Sequence, residues 1–251
     1  MRILLLTTLA LVLLPARAEQ PAPAAPSVDA AVPQVTVSAE RDPEWASYRR
    51  AYKAAAFFAP FTRDRPLIQA HMQIRPLAPT ASLDGLRVHL AGAHVQMDIP
   101  VDALGRAQLP MDKQAYEDDA VLSLNRQKGQ YYFSGRYSIR ERADGVYPVA
   151  DLHAACEQLI DAQRDSGYSL RVFRKRCAAA KLIYPLTGAA PDVVLRLADG
   201  RESPLPAAAD SPFEDGSMGQ YQVVRVSFAA VPVGATVLAR TRPLGIGTAY
   251  E

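Results

Sequence analysis

PVADLHAACEQLIDAQRDSGYSLRVFRKRC, residues 148 to 177, decides how the rest of the chain reads. Leu152, Cys156, Leu159 and Gln163 recur at the i, i+4, i+7, i+11 spacing of one helical face, widened by Ala155 and Ile160. Glu157, Asp161, Arg164 and Asp165 fall on the opposite side. Pro148 suits a first turn that needs no amide donor, Asp151 complements the positive end of the dipole, and Gly167 supplies the left-handed residue that ends a helix. The spacing predicts a helix over 149–165. Tyr168, Leu170 and Val172 then alternate with Ser169, Arg171 and Phe173, which predicts a strand ending just before Cys177.

Cys156 and Cys177 are the chain's two cysteines. In an exported protein they are most simply one disulfide, closing a loop of roughly 20 residues worth on the order of 3 kcal/mol. Export itself is read from the start of the chain. Arg2, the apolar run Ile3 to Leu14 and the Ala16-Arg17-Ala18 site before Glu19 make residues 1–18 a secretory signal. Its apolar run is too short to span a bilayer, which takes about 20 residues. No cysteine follows the cleavage point, so the expected product is a periplasmic or secreted protein rather than a lipoprotein. Residues 19–33, rich in Pro and Ala, read as a disordered linker.

Removing Arg2 and Arg17 leaves 26 basic residues against 26 acidic ones. A near-neutral chain disfavours a nucleic-acid partner. No later segment is apolar enough for a transmembrane span. Residues 34–242 are long enough for a single β-rich domain, and Gly245 and Gly247 make 243–251 read as a flexible tail.

Both sides of the central helix carry strand periodicity. Val35, Val37 and Ala39 suggest an opening strand; Asp42 and Pro43 then read as a helix start, with Trp45, Tyr48, Tyr52 and Ala55 along one face of a helix over about 43–58. The period becomes two at Ile68, Ala70, Met72 and Ile74. It recurs at Leu86 to Leu90, Val95 to Val101 and Ala120 to Leu124, and Tyr131 to Arg140 reads as a further strand after the turn at Asn125 to Gly129. After the central helix, strands are expected at Lys181 to Tyr184, Val193 to Leu197, Tyr221 to Ala230 and Thr236 to Arg242, with Glu202 to Gly219 as a loop. The run Leu86 to Gly92 resembles Val194 to Gly200, each followed some way on by another apolar strand, Ala120 to Leu124 or Val223 to Phe228. Two similar β units, 67–147 and 168–242, would then flank the helix; chance likeness of two hairpins is the competing explanation.

The motifs that specify a reaction are missing. There is no Gly-x-Ser-x-Gly elbow, His-Glu-x-x-His, phosphate loop or dinucleotide fingerprint. His89 and His94 flank the turn at Gly92 and could face each other with Asp98, but two histidines on one hairpin are ordinarily surface residues. His153 reads as packed or solvated. No metal and no cofactor is expected. Glu117, Asp118 and Asp119, or Glu214 and Asp215, could supply an acid and a base for glycoside hydrolysis, although such runs are usually solvated turns.

A contact surface is the stronger expectation. Tyr131, Tyr132, Phe133 and Tyr137 place aromatics on both faces of one strand, and Tyr131, Phe133 and Tyr137 are the candidate exposed set. Arg171, Arg174, Lys175 and Arg176 form the densest basic run; Arg171, Arg174 and Arg176 on a strand could meet an anionic envelope component, unless they only shield an edge.

The segment Asp98 to Asn125, with Pro100, Asp102, Gly105-Arg106, Leu109-Pro110 and Tyr116, resembles exported proteobacterial proteins of unknown function. The run Asp151 to Gln158 resembles the same family, and the likeness spans about 67–184. It implies a Gram-negative periplasmic setting and carries no catalytic residue with it.

The expectation is therefore an α+β, mainly β protein: an antiparallel sheet or sandwich with two helices and a Cys156–Cys177 bond. Its expected role is non-catalytic binding, to an unknown envelope protein or anionic envelope component. An envelope hydrolase using paired carboxylates and a structural adaptor with tandem β modules are the alternatives.

Overall fold

In the computed structural model, which describes residues 42–78, 80–214 and 216–251, Val149–Gln163 is a helix, α4. Its stripe is buried as the spacing requires: Leu152, Ala155, Cys156, Leu159 and Ile160 all face the core. Cys156 is bonded to Cys177 with an S–S distance of 2.07 Å. The expected signal (1–18), the expected linker (19–33) and the expected opening strand at Val35 to Ala39 lie outside the described residues.

The strand expected after α4 does not form. Arg164–Tyr168 is a wide helical turn with Gly167 at φ +89, and Ser169–Arg171 is one tight turn. Leu170 and Val172, which would share one face of a strand, part company in the turn: Val172 is 2% exposed, whereas Leu170 is 91% and Phe173 70%. Cys177 is consequently the first residue of a strand, β9 (Cys177–Tyr184), rather than the residue following one. Ala179 through Tyr184 are all buried, the continuous pattern of a strand covered on both faces.

The chain before α4 runs β1 (Pro43–Ser47), α1 (Tyr48–Phe58), α2 (Pro60–Arg63), β2 (Ile68–Pro76), β3 (Val88–Ala91), β4 (Gln96–Ile99) and β5 (Arg106–Ala107). It continues as α3 (Lys113–Glu117), β6 (Val121–Gln127) and β7 (Tyr131–Ile139). After β8 (Val146–Pro148), α4 and β9 come β10 (Val193–Arg196), β11 (Glu202–Pro204), β12 (Ala207–Asp210), β13 (Tyr221–Ser227), β14 (Thr236–Ala239) and β15 (Gly245–Tyr250). The result is mainly β, with three antiparallel sheets and four helices among the described residues.

Three boundaries differ from expectation. Pro43–Ser47 is extended because Trp45, Ala46 and Ser47 pair with Ser123, Leu122 and Val121 of β6. The helix therefore begins at Tyr48, capped by Ser47, whose hydroxyl accepts from the Arg50 amide. Glu202 to Gly219 holds two strands and a turn instead of a bare loop, and its Phe213 and Met218 are buried against Leu104 and Ile183.

The third is the expected flexible tail. Gly245–Tyr250 is β15, an interior strand paired with β9 along most of its length. The glycines that suggested mobility are packing residues. A β-carbon on Gly247 would run into the Pro212 carbonyl oxygen, and one on Gly245 would meet Leu104 Cδ1 at 2.6 Å.

The two small sheets share one strand order, at borders other than 67–147 and 168–242. The small sheets have the orders β1-β6-β3-β4 and β8-β14-β10-β11, so strand for strand they repeat one topology. In each, a short strand leads directly into a helix, α1 or α4. The large sheet, β12-β13-β9-β15-β7-β2-β5, is shared, with β15 and β7 meeting at its middle. The units are thus 43–139 and 146–250, and α4 opens the second rather than standing between them. The hairpins at Leu86 and Val194 do occupy matching places. However, the counterpart of β6 is β14; β13 is an extra strand at the point in the chain where the first unit has α3.

Candidate functional site: a groove at the seam of the large sheet

The register pairs β7 with β15 only at Ile139 and Ile246 among the described residues, and the strands part beyond that point. A groove of about 1560 Å³ opens there and extends along α1. Phe58, Phe133, Tyr137, Tyr168, Arg171 and Lys175 are among its lining residues.

One wall is an aromatic stack. The Phe58 ring meets Tyr137 edge-on at 5.6 Å between centroids and lies nearly parallel to Tyr168 at 6.1 Å. The Arg171 guanidinium sits 5.5 Å from the Tyr168 ring and the Lys175 ammonium 5.3 Å from Tyr250, so cations border the aromatic surface. Burial raises the Tyr137 hydroxyl above its ordinary pKa, and burial followed by the Glu214 carboxylate pushes Tyr250 up to about 12. Both phenols are neutral hydrogen-bonding groups across the physiological range.

Deeper in, polar side chains are tied together. Arg136 donates to Gln73 Oε1 at 2.5 Å and to Glu214 Oε2 at 3.1 Å, and its guanidinium lies 4.0 Å from the Phe213 ring centroid. The Thr248 hydroxyl donates to Glu214 Oε1 at 2.8 Å. His71 stands opposite Arg136 in the strand register, with its Nε2 sealed from solvent and lacking a hydrogen-bond partner. Burial, reinforced by Arg106 and Arg136, lowers its pKa to about 3. Its imidazole is therefore neutral at any physiological pH. Arg106 itself is held by Asp102 at 2.7 Å and Glu141 at 2.5 Å.

The candidate residues separate on this frame. Tyr137 and Arg171 come together in the groove, with Phe133 farther along it. Tyr131 belongs to the core, 4% exposed with its hydroxyl donating to the Ser82 carbonyl, so it is not part of an exposed face. The exposed aromatic of β7 is Tyr132, on the other face beside Arg75. Arg174 and Arg176 are not on a strand; Arg174 has φ +58 in the turn and Arg176 exchanges backbone hydrogen bonds with Glu251. Both lie outside the groove lining.

Other groups weighed as chemical candidates are engaged locally. His89 Nδ1 contacts Asp98 at 2.8 Å, while His94 turns instead to Asp118. The two histidines do not converge. His153 packs edge-on against Phe228. Glu117 pairs with Lys113, and Asp119 with Arg49. Hydrogen bonds from Gln114 and then His94 hold the Asp118 carboxyl below its usual range, the opposite of what a general acid requires. Asp215 lies outside the described residues.

Phe58, Tyr168 and Arg136 were not singled out by sequence. Adjacent Phe57 and Phe58 at the end of a helical run were a visible signal, but their neighbours across the groove come from segments more than 70 residues away. Comparison of the chain with protein families, with curated proteins and with solved structures gives no match to any of them.

Proposed function

We propose that this chain is a non-catalytic binding protein of the bacterial envelope, exported by residues 1–18, that holds a partner in the groove beside Phe58. The observation that carries this reading is the stack of Phe58, Tyr137 and Tyr168 bordered by Arg171 and Lys175. Flat apolar rings beside fixed cations suit a partner segment that is partly apolar and carries negative charge. The periplasmic setting rests on the leader and on the resemblance to exported proteobacterial proteins. Glu214, the groove carboxylate closest to a catalytic role, is already bound by Arg136 and Thr248, which suits structure better than proton transfer.

The test is a photo-crosslinking residue placed at Phe58 in intact cells. A dominant adduct that is lost in a Tyr137→Ala, Arg171→Glu double variant of unchanged melting temperature supports the reading. An adduct spectrum identical to that of a probe at exposed Val233 overturns it.

A further inference from the structure

We propose that the turn Tyr168–Arg176 docks the protein on an anionic phospholipid surface. This goes beyond the groove: Tyr168, Arg171 and Lys175 border it, but Leu170, Phe173, Arg174 and Arg176 lie outside its lining.

Two features of the turn point to a bilayer. Three of its side chains project apolar surface outward: Leu170 is 91% exposed, Phe173 70% and Tyr168 42%, with Phe57 of α1 also exposed and in contact with Phe58, on which Tyr168 stacks. Its other side chains are cationic: Arg171, Arg174, Lys175 and Arg176, with no acid between Ser166 and Arg176. Leu and Phe tips set among arginines and lysines are the pattern of a peripheral membrane contact, in which the tips enter the acyl boundary and the cations meet lipid phosphates.

The turn is also firmly mounted. Val172 plugs it into the core, Cys177 ties its far end to α4, and Asp165 at its near end is ion-paired with Arg65. Arg176 is fixed to Glu251 through backbone hydrogen bonds in both directions. Arg174 keeps φ +58, an unfavourable conformation for a side-chain-bearing residue, which turns the chain sharply between Phe173 and Lys175. Leu170 and Phe173 at its tip are not among the groove-lining residues, and a fluid interface needs no pocket to receive them. Charge complementarity then selects an anionic leaflet.

Co-sedimentation of the purified chain with vesicles tests this. Vesicles of phosphatidylcholine alone are compared with vesicles of equal parts phosphatidylcholine and phosphatidylglycerol. Binding is expected only to the anionic vesicles, weakening as salt rises. Leu170→Asp with Phe173→Asp, and separately Arg174→Glu with Arg176→Glu, should each weaken it roughly tenfold or more. Val233→Asp, an equally exposed apolar site, should not. In Phe173→Trp the added indole should shift its emission to the blue when anionic vesicles are added. Equal binding to both vesicle types, equal binding by the Leu170→Asp, Phe173→Asp variant, or capture of a protein by a probe at Phe173 without vesicle binding would each overturn the proposal.

Discussion

Ile139 of β7 stands directly opposite Ile246 of β15, and both are buried in the same core cluster as Leu152, Leu159 and Leu182. This pair joins the halves of the large sheet, and the groove begins where it ends. Truncating either isoleucine to alanine should lower stability by about 3 kcal/mol through lost burial and a residual cavity. Because the two side chains share a neighbourhood, the double variant should cost less than the sum. Urea denaturation measures both; additive losses below about 1 kcal/mol each would mean that the seam is not a structural joint.

Gly247→Ala should destabilise although alanine is normally the better residue in a strand. The new methyl would collide with the Pro212 carbonyl, forcing the Phe213 segment off the sheet at a cost of about 1–3 kcal/mol. Gly234→Ala, where nothing lies within 4 Å, serves as the comparison and should stay near neutral. Thermal melts of the two variants distinguish a packing glycine from a flexible one.

Loss of the disulfide should be felt globally. Cys156 and Cys177 are 21 residues apart, so replacing both with alanine should remove about 3 kcal/mol by freeing the unfolded chain. The same bond positions the turn that carries Leu170 and Phe173. Intact-mass measurement without reductant should show the chain two hydrogens lighter than after reduction, and labelling of both thiols in the native protein would refute the bond.

His71 predicts a particular acid sensitivity. Its pKa is about 3 in the fold against 6.5 in an unfolded chain, so below 6.5 the unfolded state takes up a proton that the folded state refuses. Stability therefore falls as pH drops from 6.5 toward 3, by about 2 kcal/mol on reaching pH 5 from this group alone. Above 6.5 both states are neutral at this residue and the contribution is flat. His71→Gln should flatten the slope of unfolding free energy between pH 5 and 6.5 by close to one proton. An unchanged slope would show that His71 is protonated in the folded protein.

Local periodicity was enough to place α4 and the alternating strands β2 and β6. In each case the pattern is long enough that only one secondary structure can bury the apolar set. It failed where the same residues satisfy two geometries. Trp45, Tyr48 and Tyr52 fit a helical stripe, but β6 offered Trp45 and Ala46 backbone partners, so the helix starts later. Tyr168, Leu170 and Val172 carry a two-residue period, but in the turn they form, Val172 alone is buried, while Leu170 is exposed. Of the groove, Tyr137 and Arg171 were legible as unusual residues, while their meeting was not.

The sequence by itself determined the β-rich class and the central helix, because these depend on residue spacing within short windows, and the bond between Cys156 and Cys177, because the chain holds two cysteines and no others. Tertiary structure alone decided that two units share one large sheet, that glycine-rich residues 245–250 form an interior strand, and that Phe58 and Tyr168 face each other. Those outcomes depend on which strand edges and surfaces find partners far along the chain, and no local pattern of hydrophobicity encodes that choice.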